Sequence, residues 1–150
     1  VKNIMRRTLN KYDVILIDTS HVLSDINLTA LDNSDQIALL LSNDPIDLKN
    51  MNSVVAIFKD NRKDNYKLIL NNAINTDRDF FDVFEIKNIV KNNIDYIISK
   101  NFHIKNIDYY TMKGKIPLLT KKIQKKKKSE IRRFKQIAIS LISEEGIDNE

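Results

Sequence analysis

The sequence predicts an α/β fold, in which a parallel sheet has helices packed on it. Four short apolar runs carry this prediction, at residues 14–17, 37–41, 68–70 and 96–98. Each run is continuous rather than alternating, which is typical of strands buried on both faces of a parallel sheet. Between 19 and 26 residues separate successive runs, enough for one crossover helix and its loops. The pattern therefore predicts the order βαβαβαβ.

The segment after the second run predicts a helix with a clean apolar stripe. Pro45 suits the first turn of this helix, and Asp44 or Asp47 could cap it. Its apolar side chains recur at helical spacing and consist of Leu48, Met51, Val55 and Phe58. We therefore expect this face to pack on the sheet.

Three other segments also show helical periodicity. Residues 24–32 and 80–90 have weaker apolar stripes, whereas residues 129–143 form the strongest predicted helix. The apolar face of the last helix is expected to cover the sheet. It comprises Ile131, Phe134, Ala138 and Leu141, widened by Ile137 and Ile142.

Length and composition exclude several classes of protein. A chain of 150 residues suffices for one domain. The absence of cysteine excludes disulfides, thiolate metal sites and a cysteine nucleophile. With glycine only at positions 114 and 146, no glycine-rich loop can cradle a phosphate. No apolar run approaches the ~20 residues of a membrane-spanning helix, so we expect a cytoplasmic protein without a membrane span.

Positive charge is concentrated in residues 115–135, which contain ten Lys or Arg residues and one Glu. The local charge is +9, and the rest of the chain carries −4 to reach the total of +5. Such a segment either contacts a polyanion or forms a solvated surface. The candidates for nucleic-acid contact lie in the basic segment 121–135, which leads into the last helix; they are Lys121, Lys122, Lys125, Lys126, Lys127, Lys128, Arg132 and Arg133.

The first apolar run ends in an acidic residue followed by hydroxyl side chains. Residues 12–20 read YDVILIDTS, with Asp18 at the carboxyl end of the predicted strand. Ligands of open α/β sheets bind at this edge, and an aspartate there can hold Mg²⁺ on nucleotide phosphates. The alternative is that Asp18 only caps the loop or helix that follows.

Residues 12–119 resemble the C-terminal part of deviant P-loop ATPases of the ParA/MinD type. The similarity is closest to the tight-adherence (Flp) pilus assembly and localisation ATPases. The segment YDVILIDTSHVLSDINLTALDNSDQIALLLSNDPIDLKN resembles the family's metal-site strand and the elements after it. LILNNA resembles a strand that ends in an "LNR"-like motif, and IDYYTMKGKIPLL resembles a helix that leads to a Gly-x-Pro turn.

This resemblance implies a P-loop NTPase-like fold with ATP and Mg²⁺ as cofactors. Asp18 matches the family's metal-site aspartate, and Thr19 lies in the switch-like turn that contacts the cofactor. Asn71 matches the asparagine that reaches the adenine base, a role suited to an amide because it both donates and accepts hydrogen bonds.

The sequence departs from the family pattern at several places. His21 stands where proline is common, and Asn72 replaces the usual arginine. The family's N-terminal strand, glycine-rich phosphate loop and first helix have no counterpart in these residues. We therefore expect residues 1–150 to form a single partial domain, a fragment of a longer reading frame that does not hydrolyse ATP alone.

The resemblance implies an ATPase that positions cellular machinery as a homodimer. A pilus assembly complex is the expected partner, with recruitment to the membrane or the cell pole through partners. Two alternatives remain open. The first is a non-catalytic localisation or scaffold protein on the same fold, and the second is a nucleic-acid-binding module that uses the basic segment to contact DNA.

Overall fold

The computed structural model describes residues 2–8, 11–20, 24–72, 80–102 and 104–143. These belong to two compact units, Val1–Ile37 and Ala38–Glu150. The helices are α1 (Lys2–Thr8), α2 (Asp25–Asp32), α3 (Pro45–Asp60), α4 (Val83–Val90), α5 (Ile107–Met112), α6 (Lys121–Lys126) and α7 (Lys128–Ile142). The strands are β1 (Ile37–Leu41), β2 (Tyr66–Asn71) and β3 (Tyr96–Ile98), and short 3₁₀ turns lie at Lys100–Phe102 and Pro117–Leu119.

The three strands form a parallel sheet in the order β1–β2–β3. The register of the second pair places Ile69 opposite Tyr96 and Asn71 opposite Ile98. The α/β class and three of the four predicted strands are thus confirmed. Because the strands are parallel, the carboxyl ends of all three lie at one edge of the sheet.

The prediction of a strand at residues 14–17 is wrong. Residues 14–20 have no regular secondary structure, and Leu16 is 91% exposed. A strand exists through hydrogen bonds to a neighbour, and the sheet in the described part of the chain contains only β1, β2 and β3. Among the described residues, the apolar run has no neighbouring strand to which its backbone could form ladder hydrogen bonds. Its apolar composition alone does not make it a strand.

The larger core lies on the sheet face covered by α3 and α4. Leu68 and Leu70 of β2 are fully buried there and contact both helices' apolar side chains. The predicted stripe of α3 is confirmed at all four positions, which are Leu48, Met51, Val55 and Phe58. From α4, Ile86 and Val90 complete this core.

A smaller core covers the opposite face of the sheet. Ile69 and Ile98 pack there against Ile137 of α7, which confirms that the last helix covers the sheet. Phe134 and Leu141 lie beside them, whereas Ala138 is exposed. The buried stripe of α7 is therefore rotated from the predicted one, because contact with two strands selects a narrower set of positions than the sequence pattern offers.

Local hydrogen bonds define where the helices begin. Ser24 caps α2, and Asp44 rather than Asp47 caps α3. A capping box joins Asp82 and Glu85 at the start of α4, with N···O distances of 2.8 Å in both directions.

None of the helices in the described ranges is long and apolar enough to cross a bilayer.

Candidate functional site

The carboxyl end of β2 presents two consecutive asparagines at the edge where ligands of α/β sheets bind. Asn71 is half-buried and ends the strand, and the backbone N–H of Asn72 donates to the carbonyl of Ile98 at 2.9 Å. The side-chain Oδ1 of Asn72 is buried and accepts no hydrogen bond from the described residues. A buried acceptor without a donor costs about 1–3 kcal/mol.

A side-chain clamp orders the same edge beside β1. The Asn43 Nδ2 group donates to the Phe81 carbonyl at 2.7 Å, and Asn43 Oδ1 accepts from the Phe81 backbone N–H at 3.1 Å. The loop after β1 is thereby fastened to the chain that enters α4. Sequence reasoning missed Asn43, because its partner lies 38 residues away and no local pattern connects the two.

The carboxylates that follow β1 are used in local structure. Asp44 accepts from the backbone N–H groups of Ile46 and Asp47, at 2.9 and 3.1 Å. Asp47 Oδ2 accepts from both the backbone N–H and the hydroxyl of Ser42, at 2.6 and 2.7 Å. These contacts hold the loop from the strand to α3 in one conformation.

The predicted metal-side residues belong to the first unit. Asp18 and Thr19 are exposed in the irregular stretch at residues 14–20. The next residue, Ser20, accepts hydrogen bonds from the side chain of Asn27 in α2, at its carbonyl (3.2 Å) and its hydroxyl (3.1 Å). This stretch is therefore tied to α2 directly after Thr19. His21 lies outside the described residues.

Metal ligation by protein side chains alone finds no support in the described ranges. They contain no group of three or more His, Asp or Glu residues placed to hold an ion. Mg²⁺, however, commonly takes one or two carboxylates and completes its shell with phosphates and water. A single exposed carboxylate such as Asp18 suits that kind of site.

The basic segment forms α6, the linking residue Lys127 and the first turns of α7. Its exposed members are Lys121, Lys122, Lys125, Lys126, Lys128, Arg132, Arg133 and Lys135, while Lys127 is half-buried. Arg133 also lines a small cavity of about 120 Å³ where β3 ends, together with Ser99 and Phe134. The structure thus gathers the predicted basic residues on two consecutive helices.

Two comparisons find no relative by sequence: no protein-family model matches this chain, and no curated protein matches it. Solved structures do match its fold. MinD in the MinC:MinD cell division protein complex of Aquifex aeolicus matches with a TM-score of 0.68 and 19% identity, over 99% of this chain and 60% of that one. A ParA family ATPase from Chlorobium tepidum matches with a TM-score of 0.62 and 16% identity, over 93% of this chain and 54% of that one.

These matches show that the chain has an α/β fold with a parallel sheet flanked by helices. More specifically, this is the fold of the MinD and ParA-family ATPases. The ParA/MinD-like fold expected from the resemblance is confirmed. The chain spans little more than half the length of these two structures, 60% and 54%.

Proposed function

We propose that this chain is the C-terminal portion of a ParA/MinD-like ATP-binding ATPase that positions cellular machinery. The observation that carries the proposal is a fold match to MinD over 99% of the chain. The order of the quoted segments agrees with it, since the asparagine of LILNNA ends β2 at the edge where ligands of this fold class bind.

The residues present suit the base side of a nucleotide. Asn71 lies half-buried at the carboxyl edge of the sheet, where its side-chain amide belongs to the last residue of β2. Adenine offers an exocyclic amine as donor and ring nitrogens as acceptors, which complements a carboxamide. Asn71 would therefore hold the base and select it by hydrogen bonding.

Asp18 would hold Mg²⁺ and Thr19 would line the turn beside the cofactor. Mg²⁺ neutralises the charge on the transferred phosphates when it is bound with ATP. The hard carboxylate oxygen of Asp18 is the kind of ligand that Mg²⁺ prefers. The phosphate cradle itself would come from residues outside these 150, which contain no glycine-rich loop.

The first experiment is to sequence the DNA upstream of the Val1 codon in the source genome. An in-frame strand followed by a glycine-rich phosphate loop supports the ATPase. A start codon immediately upstream without such a loop contradicts it and favours the non-catalytic scaffold. The scaffold also predicts no ATP turnover when any upstream residues are restored.

The second experiment measures Mg·ATP binding by calorimetry with the longest reading frame. We expect Asn71→Ala to weaken ATP binding about tenfold and to reduce discrimination against GTP. Asn88→Ala, an exposed asparagine in α4, is the matched control. Asp18→Asn should reduce the Mg²⁺ dependence of binding, whereas Asp13→Asn in the same exposed stretch should not. If Asn71→Ala and Asn88→Ala weaken ATP binding equally, the role assigned to Asn71 is refuted. If Asp18→Asn and Asp13→Asn change the Mg²⁺ dependence equally, the role assigned to Asp18 is refuted.

The partners follow from the same proposal. In the Aquifex structure MinD is found in complex with MinC, and a homodimer with a protein partner is the arrangement proposed here. Pilus assembly machinery is the partner class that the sequence resemblance suggests, with recruitment from the cytoplasm to the membrane or cell pole. Affinity purification from the source organism, scored for pilus assembly proteins, tests this assignment.

A nucleic-acid interface on α6 and α7 is a second candidate function. It is favoured by the eight exposed basic side chains on these consecutive helices. Binding to duplex DNA should weaken steeply with salt, because each neutralised phosphate releases counterions. The logarithm of the binding constant should fall linearly with the logarithm of the salt concentration. We expect the double substitution Lys125→Gln with Arg132→Gln to make this slope shallower by about 0.9 per charge removed.

Lys11→Gln with Lys49→Gln removes the same charge from exposed positions elsewhere and serves as the control. Fluorescence anisotropy with a short labelled duplex provides the measurement. Salt-independent binding, or no binding at low salt, would eliminate this function. An equal loss in the control pair would show that net charge rather than the basic segment attracts DNA.

A further inference from the structure

The amino-terminal edge of the sheet carries a second candidate site, opposite the edge that presents Asn71. An open cavity of about 550 Å³ lies where β2 begins. Its walls come from the end of α3, the start of β2 and the loop before β3. Four basic and two acidic side chains line it, a net charge of +2. The cavity is thus cationic and uses no residue assigned above to nucleotide or nucleic acid.

One wall of the cavity is a helix end with arginine where glycine is usual. The backbone N–H of Lys63 donates to the Phe58 carbonyl at 2.8 Å and that of Arg62 donates to the Lys59 carbonyl at 3.0 Å. These two bonds define a Schellman motif, whose left-handed residue is commonly glycine. Arg62 occupies that position with φ of 52°. The left-handed conformation is unfavourable for an L residue, and here the residue that adopts it contributes its guanidinium group to the lining of the cavity.

A hydroxyl donor faces the same cavity. The Asn92 Nδ2 group donates to the phenol oxygen of Tyr66 at 3.0 Å. The hydroxyl proton of Tyr66 is therefore directed away from Asn92, and none of the hydrogen bonds described for Tyr66 uses it. Burial raises the pKa of Tyr66 above its ordinary value of 10.0, so the proton is retained at neutral pH.

The charges around the cavity are oriented by backbone contacts. The Lys59 ammonium donates to the Lys91 carbonyl at 2.6 Å, which positions its charge without neutralising it. The acidic side chain of Asp95 is turned to the main chain, since its Oδ2 accepts from the backbone N–H of Leu68 at 2.7 Å. The exposed carboxylate of Asp64 also lines the cavity, so the two acidic residues reduce the charge of the four basic ones to the net value of +2.

We propose that this cavity binds a dianionic phosphate group, either the free ion or the monoester of an organic molecule. The guanidinium of Arg62 would bind two phosphate oxygens in the paired geometry that arginine favours. The hydroxyl of Tyr66 would donate to a third oxygen, and Lys59 would balance the second negative charge. A dianion is favoured over a carboxylate because the net lining charge is +2 and the lining includes a guanidinium, ammonium groups and a phenol hydroxyl.

The test titrates the 150-residue chain with inorganic phosphate and with phenyl phosphate at constant ionic strength, followed by amide NMR shifts. Saturable shifts at residues 59–67 and 92–95 are expected. Arg62→Gly should weaken binding about tenfold while raising the melting temperature, because glycine relieves the left-handed conformation. Tyr66→Phe should weaken binding by a smaller factor.

Two controls separate the site from general effects. Asn106→Gly makes the same backbone change at another left-handed residue, with φ of 62°, and Lys49→Gln removes one exposed charge from α3; neither should alter binding. Tighter binding of phenyl phosphate assigns the group to an organic molecule, and tighter binding of inorganic phosphate assigns it to the free ion. No saturable binding of either, or equal losses in the controls, would overturn the proposal.

Discussion

Single polar side chains in this protein are placed by partners far away in sequence. Tyr66 and Asn92 are 26 residues apart, and Asn43 and Phe81 are 38 apart. Each pair joins the ends of different elements, so each contributes to tertiary rather than secondary structure. Their individual effects can be measured with conservative substitutions.

Tyr66 makes the stability of the fold sensitive to alkaline pH. Burial is the main cause that raises the pKa of Tyr66, the Asp95 charge raises it further, and the Asn92 hydrogen bond lowers it. The folded state therefore holds the proton more tightly than the unfolded state does. This stabilisation is present below pH 10.0 and is lost as the pH rises through the folded pKa.

We expect Tyr66→Phe to lose about 1 kcal/mol at neutral pH, the net value of a hydrogen bond, and to show a shallower decline in stability above pH 10. Urea unfolding at several pH values measures this. Tyr109→Phe, at an exposed position, should follow the parent curve. Parallel declines for the parent and Tyr66→Phe would contradict the role of this phenol.

Asn43 fastens the two loops at the carboxyl edge of the sheet. The substitution Asn43→Ala removes both side-chain hydrogen bonds to Phe81. The backbone N–H and carbonyl of Phe81 then lose these partners. We expect a loss of about 1–3 kcal/mol in the free energy of unfolding, measured by chemical denaturation. Asn88→Ala removes an exposed asparagine from α4 and should be neutral or slightly stabilising, since alanine is the better helix former.

At the scale of elements, the start of α3 depends on one carboxylate. Asp44 satisfies two N–H groups of the first turn, which no preceding helical turn can bond. Asp44→Ala should cost about 1 kcal/mol, whereas Asp44→Asn should retain most of the stability because asparagine caps equally well. Thermal unfolding of the two variants distinguishes capping from charge, and equal losses would argue against the cap.

The fate of the apolar runs also belongs to this scale. Residues 68–70 became a strand buried on both faces, whereas the equally apolar residues 14–17 did not become a strand. Composition measures the tendency to leave water, but a strand additionally requires a neighbour for its backbone hydrogen bonds. That second condition is not encoded within the run itself.

At the scale of the molecule, the sheet separates two cores of unequal size among the described residues. Leu68→Ala removes a fully buried side chain from the core under α3 and α4, and should cost about 2–5 kcal/mol. Ile137→Ala lies in the smaller core beneath α7 and is 8% exposed, so its effect should fall at the low end of that range.

Hydrogen exchange followed by mass spectrometry checks the separation of the cores. Ile137→Ala should raise exchange mainly in α7, because its contacts in that core are with Ile69 and Ile98. Leu68→Ala should raise exchange in α3, α4 and the sheet together. Uniform exchange changes in both variants would mean that the two cores unfold as one unit.

The candidate site was predictable only in part. The sequence pointed to Asn71 through the resemblance of LILNNA to an "LNR"-like motif, and the structure places this residue at the end of β2. The roles of Asp18, Thr19 and the basic segment stay predictions. Asn43, Arg62 and Tyr66 escaped prediction, because a clamp to a distant backbone, a left-handed φ and a shared cavity leave no mark in local sequence.

The sequence by itself determined the fold class, the stripe of α3 and three strands, since periodicity and burial of apolar side chains follow from local residue order. Only the tertiary structure decided which face of α7 is buried and which apolar run stays without a strand. It also decided which polar groups meet at each edge of the sheet. These features depend on partners that are distant along the chain, and their energies arise only when the elements pack together.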